Sequence, residues 1–169
     1  MGKVGEGKVA RWLIGKGYTV LPVYEKELHT GKGPVVYSLL GCFIAPDMLV
    51  YCGDNIKWVE AKTKSSFTWH RHSRTWVTGI DMRHYQDYLK LVVSSPWPIW
   101  LLFLHLDPRG AKDTPLEHLG KSPVGLFGND LSVLSCCEHH RHRNWGSEGM
   151  VYWDCRVLRQ LARVEHLEE

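Results

Sequence analysis

Two short apolar runs separated by two residues limit this chain more than any other feature. Met48-Leu49-Val50-Tyr51-Cys52 and Asn55-Ile56-Lys57-Trp58-Val59 flank Gly53-Asp54. A Gly-Asp pair between apolar runs is a strong hairpin signal, and Gly at the first central position suits a type II′ turn. A two-residue turn sets Cys52 opposite Asn55. Counting back along both strands then sets Asp47 opposite Glu60. Opposed residues lie about 4.5–5.5 Å apart at Cβ, so two carboxylates are forced together. Like charges so placed destabilise a ladder unless positive charge lies between them. A divalent cation supplies that charge, and the two-residue period puts Lys62 on the same face as Glu60.

The segment from Gly2 to Gly17 is expected to be a helix that ends at a glycine, with Val9, Trp12 and Leu13 as its apolar stripe. Glu6 precedes Val9 by one turn and so falls on the inward face. A carboxylate pointing inward needs a partner or a metal. The alternative is a solvated Glu favoured by the helix dipole. The run Gly2-Lys3-Val4-Gly5-Glu6-Gly7-Lys8-Val9 nearly spells a phosphate-binding loop. Val9 stands where that loop needs Ser or Thr, and no strand precedes it, so nucleotide hydrolysis is set aside.

Pro46-Asp47 followed on the next strand by Glu60-Ala61-Lys62 resembles the motif of the PD-(D/E)XK, or restriction-endonuclease-like, nucleases. The resemblance covers roughly the first half of the chain. It implies an α/β fold: a central mixed β-sheet flanked by helices, with an α-β-β-β-α-β restriction-endonuclease-like core. It implies that Asp47 and Glu60 hold Mg²⁺ (or Mn²⁺), with the Ala61 carbonyl as a further ligand. Glu6 sits where the family's first-helix acid stands. Lys62 becomes the group that activates water or stabilises charge. Some relatives carry a Q-x-x-x-Y pattern on the later helix. Here Lys90 follows Gln86 by four, so neither Gln86 nor His84 inherits a catalytic role.

A chain of 169 residues is read as one domain, with core motifs in 1–107 and 108–169 as a C-terminal extension of it. The strand Tyr18–Tyr24 is expected at an edge because of Pro22. Residues 25–45 are expected to form a long loop marked by Gly31, Gly33 and Gly41. Residues 63–78 lose apolar periodicity. Ile80–Ser95 is expected to be a helix facing inward through Tyr85, Tyr88, Leu89, Val92 and Val93. Ile99–Leu106 suits a buried central strand. Further strands are expected at Val124–Phe127 and Met150–Trp153, and a closing helix at Arg156–Val164. No segment reaches the roughly 18 apolar residues of a membrane span, and the first residues do not form a signal peptide, so a cytoplasmic protein is expected. Five cysteines without regular spacing are expected to be free thiols.

From Lys62 to Trp76 cations alternate with aromatics. Lys64, Arg71 and Arg74 suit phosphates, and Trp69 and Trp76 suit stacking on unpaired bases. The alternative is a solvated loop anchored by two core tryptophans. Cys136-Cys137-Glu138-His139-His140-Arg141-His142 has the composition of a zinc tract without a finger's spacing, and is taken as a polar basic loop. The combined expectation is a magnesium-dependent nuclease acting on nucleic acid, most naturally DNA, structure-selectively or without sequence preference. A homodimer would suit a two-strand cut. The rival is a nuclease-like module that binds nucleic acid or protein without cleaving.

Overall fold

The computed structural model describes residues 2–23, 34–143 and 148–167. Tyr24, Gly31 and Gly33, expected as a strand end and as loop marks, lie outside those residues. Helix α1 (Gly2–Gly15) leads into β1 (Thr19–Pro22), β2 (Val35–Ser38), β3 (Gly41–Ile44), β4 (Met48–Cys52) and β5 (Asn55–Lys64). Then come β6 (Thr68–His70), β7 (Thr75–Asp81), α2 (Met82–Ser94) and β8 (Ile99–His105). The remaining third holds β9 (Gly125–Asp130), α3 (Leu131–Cys136), β10 (His140–His142), β11 (Met150–Asp154) and β12 (Arg159–Ala162).

The main sheet has six strands in the order β1-β4-β5-β8-β9-β12. Only β5 and β8 run parallel; the other neighbours are antiparallel. Along this sheet the chain reads α1-β1-β4-β5-α2-β8, the expected α-β-β-β-α-β core with a mixed sheet. A second sheet, β10-β11-β7-β6, and the β2–β3 hairpin pack beside it. Each face of the main sheet buries its own core. On one face Val9 and Leu13 of α1 meet Val50, Val59, Ala61, Leu102 and Leu104. On the other, Met82, Tyr85, Tyr88 and Leu91 of α2 meet Ile99, Leu101, Phe103 and Trp153.

Two glycines in α1 show what fixes its seat. A Cβ at Gly5 would lie 1.5 Å from Thr63 Oγ1 on β5, whereas Gly7 has open space. Helix and strand touch backbone to side chain at Gly5.

Several expected elements differ. Residues 35–44 form a hairpin, not a loop. Residues 63–78 hold the end of β5, all of β6 and the start of β7. Periodicity fails there because Thr75 to Ile80 are all buried, and a strand covered on both faces has no alternation. Helix α2 starts at Met82, after Asp81 caps it by accepting the Arg83 N–H at 2.9 Å. Its inward stripe is Met82, Tyr85, Tyr88 and Leu91; Val93 is 78 % exposed. The expected helix at 156–164 is a 3-10 turn at Cys155–Val157 followed by β12, which pairs with β9. Short apolar runs fit either period, and here an open sheet edge decides. The expected loop at 136–142 is the end of α3 and strand β10. All five cysteines are free, and no described helix is long and apolar enough to cross a membrane.

His105 ends β8 fully buried, stacked on Phe67 with centroids 3.8 Å apart and in register with Lys64. Burial, and then the Lys64 charge, push its pKa down to about 3 against the pull of the Ser66 backbone.

Two outcomes follow from these packings. Gly5→Ala should destabilise by about 1–3 kcal/mol through overpacking. Gly7→Ala in the same helix should stabilise by about 0.5–1 kcal/mol. Urea midpoints of the two variants check this, and equal effects would contradict the Gly5–Thr63 contact. His105 keeps a lower pKa folded than unfolded, so the unfolded chain binds more protons between pH 6.5 and about 3. Stability is therefore full above pH 6.5 and falls with acid by up to about 1.4 kcal/mol per pH unit. His105→Phe should flatten that part of the profile, read by urea melts from pH 7 to pH 4.

Candidate active site

Gly53 has φ +56° and Asp54 does not share the positive region, as a type II′ turn requires. The ladder runs from Cys52–Asn55 to Met48–Val59. One step further, the Asp47 N–H donates to Glu60 Oε2 at 3.3 Å, and Asp47 Oδ2 accepts the Ala61 N–H at 2.8 Å. The hairpin thus carries the two carboxylates to one point, half-buried at Asp47 and 1 % exposed at Glu60.

Lys62 forms an ion pair with Glu60 Oε1. The contact is close but poorly directed, so Oε1 accepts no aligned hydrogen bond. His84 Nδ1 lies 3.8 Å from the same oxygen and 3.2 Å from the Tyr88 hydroxyl. Burial and the Glu60 charge push Asp47 up to about pKa 6, against the Ala61 N–H and the Lys62 ammonium. Burial alone would lower Lys62, but Glu60, Asp47 and Glu6 outweigh it and hold the ammonium charged. Burial, then the Glu60 carboxylate, raise the Tyr88 phenol well above its ordinary value. Burial and the Lys62 charge lower His84. A neutral phenol and a neutral-leaning imidazole thus stand beside two acids and one ammonium.

Glu6 comes from a different element, helix α1. Helix α1 packs on the face of the sheet that buries Val59 and Ala61, while Glu60 points to the α2 face. Its charge reaches Lys62. Among the described residues no set of three or more His, Cys, Asp or Glu is arranged to hold a metal ion. Asp47 and Glu60 nonetheless suit a hard cation. Glu60 Oε1 is a buried anionic oxygen lacking a directed donor, and Asp47 is driven towards protonation by its neighbour. One added positive charge relieves both.

The expected nucleic-acid contacts divide. Arg71 and Arg74 are exposed on the β6–β7 turn. Trp69 is half-buried against His118. Lys64 is half-buried, and burial beside Lys62 lowers it to about pKa 8. Trp76 needs correction: it is 8 % exposed in the core, so its ring offers no face to a base. Gln86 is exposed, as a surface residue should be. Tyr88 and His84 were the residues sequence reasoning left out of the site. Their signal was the four-residue spacing that stacks both over one helix face, hidden because Tyr88 also fits the apolar stripe.

The fold is mixed α/β of the restriction-endonuclease-like class. The chain is similar in structure to Archaeoglobus fulgidus Hjc, a Holliday junction resolvase from an archaeal hyperthermophile. The TM-score is 0.51 at 10 % identity, over 92 % of this chain and 90 % of that one. At that identity the likeness speaks for the fold. No known protein-family profile matches the chain, and no curated relative matches it.

Tyr88→Phe should keep the ring packing and remove the hydroxyl that His84 Nδ1 meets at 3.2 Å. A stability loss of about 0.5–1.5 kcal/mol is expected, the ordinary worth of one intramolecular hydrogen bond. An unchanged urea midpoint would mean that the His84–Tyr88 contact carries no stability.

Proposed function

We propose that the chain is a metal-dependent nuclease that hydrolyses phosphodiester bonds of DNA, structure-selectively or without sequence preference. The carrying observation is the convergence of Asp47, Glu60 and Lys62 at the open end of one hairpin, within a fold shared with a junction resolvase. Asp47 and Glu60 would hold Mg²⁺ or Mn²⁺, with the Ala61 carbonyl as the further ligand. When bound, such an ion lowers the pKa of a water and neutralises charge on the phosphorane.

The chain's own residues have separate tasks. Lys62, held charged by its acid neighbours, orients the attacking oxygen and contacts the phosphate. Glu60 is fixed by the Asp47 N–H on Oε2 and by the Lys62 ion pair on Oε1, so the carboxylate keeps one direction. Asp47 is fixed in turn by the Ala61 N–H. The buried Tyr88 and Leu101 exclude water behind the carboxylates. A homodimer would place two such sites on opposite strands.

A second reading is a nuclease-like module that binds without cutting. It is favoured by the absence, among the described residues, of any group of three or more ligating side chains arranged for a metal ion. A panel of labelled linear, flapped and four-way DNA with Mg²⁺ or Mn²⁺ separates the two. Cleavage should appear, and Asp47→Ala or Glu60→Ala should lower it at least about 100-fold while circular dichroism stays native. Lys62→Ala should cut turnover comparably yet leave Mn²⁺ binding by calorimetry largely intact. Full activity in both acid variants would sink the site; binding to DNA without cleavage in the wild type would establish the second reading.

A further inference from the structure

The turn between β6 and β7 breaks a rule of chain geometry. His70 pairs with Thr75, so Arg71-His72-Ser73-Arg74 make the turn. Arg74 holds φ +52° and is the one non-glycine residue with positive φ among those described. Glycine or asparagine enters this region readily; arginine rarely does. An arginine kept there points to a use for its side chain.

That side chain lines a cavity of about 450 Å³, with Trp69, Arg71, Pro115, Glu117 and His118. The cavity joins two distant segments. The Arg71 guanidinium donates to the Asp113 carbonyl at 3.3 Å, which ties the turn to the loop carrying a 3-10 turn at Leu116–His118. The Trp69 and His118 rings stack with centroids 3.7 Å apart at 26°. The buried Trp76 braces Trp69 edge-on at 5.1 Å. Glu117 lies 3.5 Å from His118 Nε2, leaving two guanidiniums against one carboxylate.

A site with two guanidiniums beside a braced aromatic stack recognises an anion joined to a flat ring. We infer that this cavity is a subsite for an unpaired nucleotide of a single strand, the arginines taking the phosphate and the Trp69–His118 stack extending onto the base. Guanidinium–phosphate contacts are bidentate and base–aromatic stacking is tolerant of sequence. The inference rests on the nuclease reading for its place on the substrate. Trp69 lies nine residues past Glu60, a span of at most about 30 Å. A strand leaving the scissile bond reaches that far. A phosphorylated peptide would engage the arginines but leave the aromatic wall unused.

The test is fluorescence anisotropy in EDTA with a labelled twelve-residue oligothymidylate and a blunt duplex of equal length. Proteins are the wild type, Arg71→Ala, Arg74→Asn and His118→Ala. Arg74→Asn relieves the backbone, so its melting temperature should hold or rise while binding falls. Each arginine variant should weaken single-strand binding and flatten its salt slope by about 0.7. His118→Ala should weaken the single strand by about 5- to 150-fold and leave the duplex unchanged. Unchanged single-strand affinity in Arg74→Asn and His118→Ala would overturn the inference. So would equal losses on both DNAs, which mean a plain phosphate patch, or binding of a phosphopeptide in place of the oligonucleotide. Binding is read without divalent metal, so the two proposals fail separately. A wild type that binds the single strand but cuts nothing loses the nuclease reading and keeps this subsite.

Discussion

The Glu60 carboxylate, buried beside Asp47, sets the terms for everything around it. An isolated buried charge costs several kcal/mol, so its neighbours must compensate. Lys62 gives a charge, Tyr88 a phenol, and Asp47 its own N–H. None of these removes the repulsion between the two acids, and Asp47 shows it by rising to about pKa 6. A chain built only for stability would replace such a pair with packed apolar residues of like volume. A strained pair at the mouth of a hairpin, above an otherwise apolar core, is what the proposed metal-dependent hydrolysis would use.

Compensation also explains the shape of the surroundings. Helix α2 brings Tyr88 and His84 over one face because residues four apart share a helix face. Burial lowers His84, so little added positive charge competes with Lys62. Helix α1 works on the other face, where Gly5 lets it settle against Thr63. Glu6, one residue further along that helix, adds its charge to those that raise Lys62.

What could be read from the sequence followed from local rules. The turn pair Gly53-Asp54 determined the register, and the register determined that Asp47 and Glu60 meet. The run Ile99 to Leu106 announced the central strand because both its faces are buried. Long-range facts were hidden. Strand β7 contains Thr75, Thr78 and Gly79 at buried positions, so no alternation betrayed it. Strand β12 carries Val157, Leu158 and Leu161 nearby at a helical spacing, and only the open edge of β9 makes it a strand. Trp69 and Trp76 looked alike in sequence. One packs into the core and the other against a loop more than forty residues away. The seat of α1 on the main sheet was not legible either, since its close approach at Gly5 to Thr63 joins residues far apart in sequence.

The pairing order of the two sheets also bears on how the chain is made. Strand β12 completes the main sheet against β9, and β11 completes the second against β7. A growing polypeptide therefore carries β7 and β9 as open edges until residues past 150 have emerged. Unpaired edges of this kind are templates for association with other chains. The hairpin that carries both carboxylates is local in sequence, whereas covering β7 and β9 waits for strands more than thirty residues further along. In this topology the two edges are the last parts of the sheets to be covered.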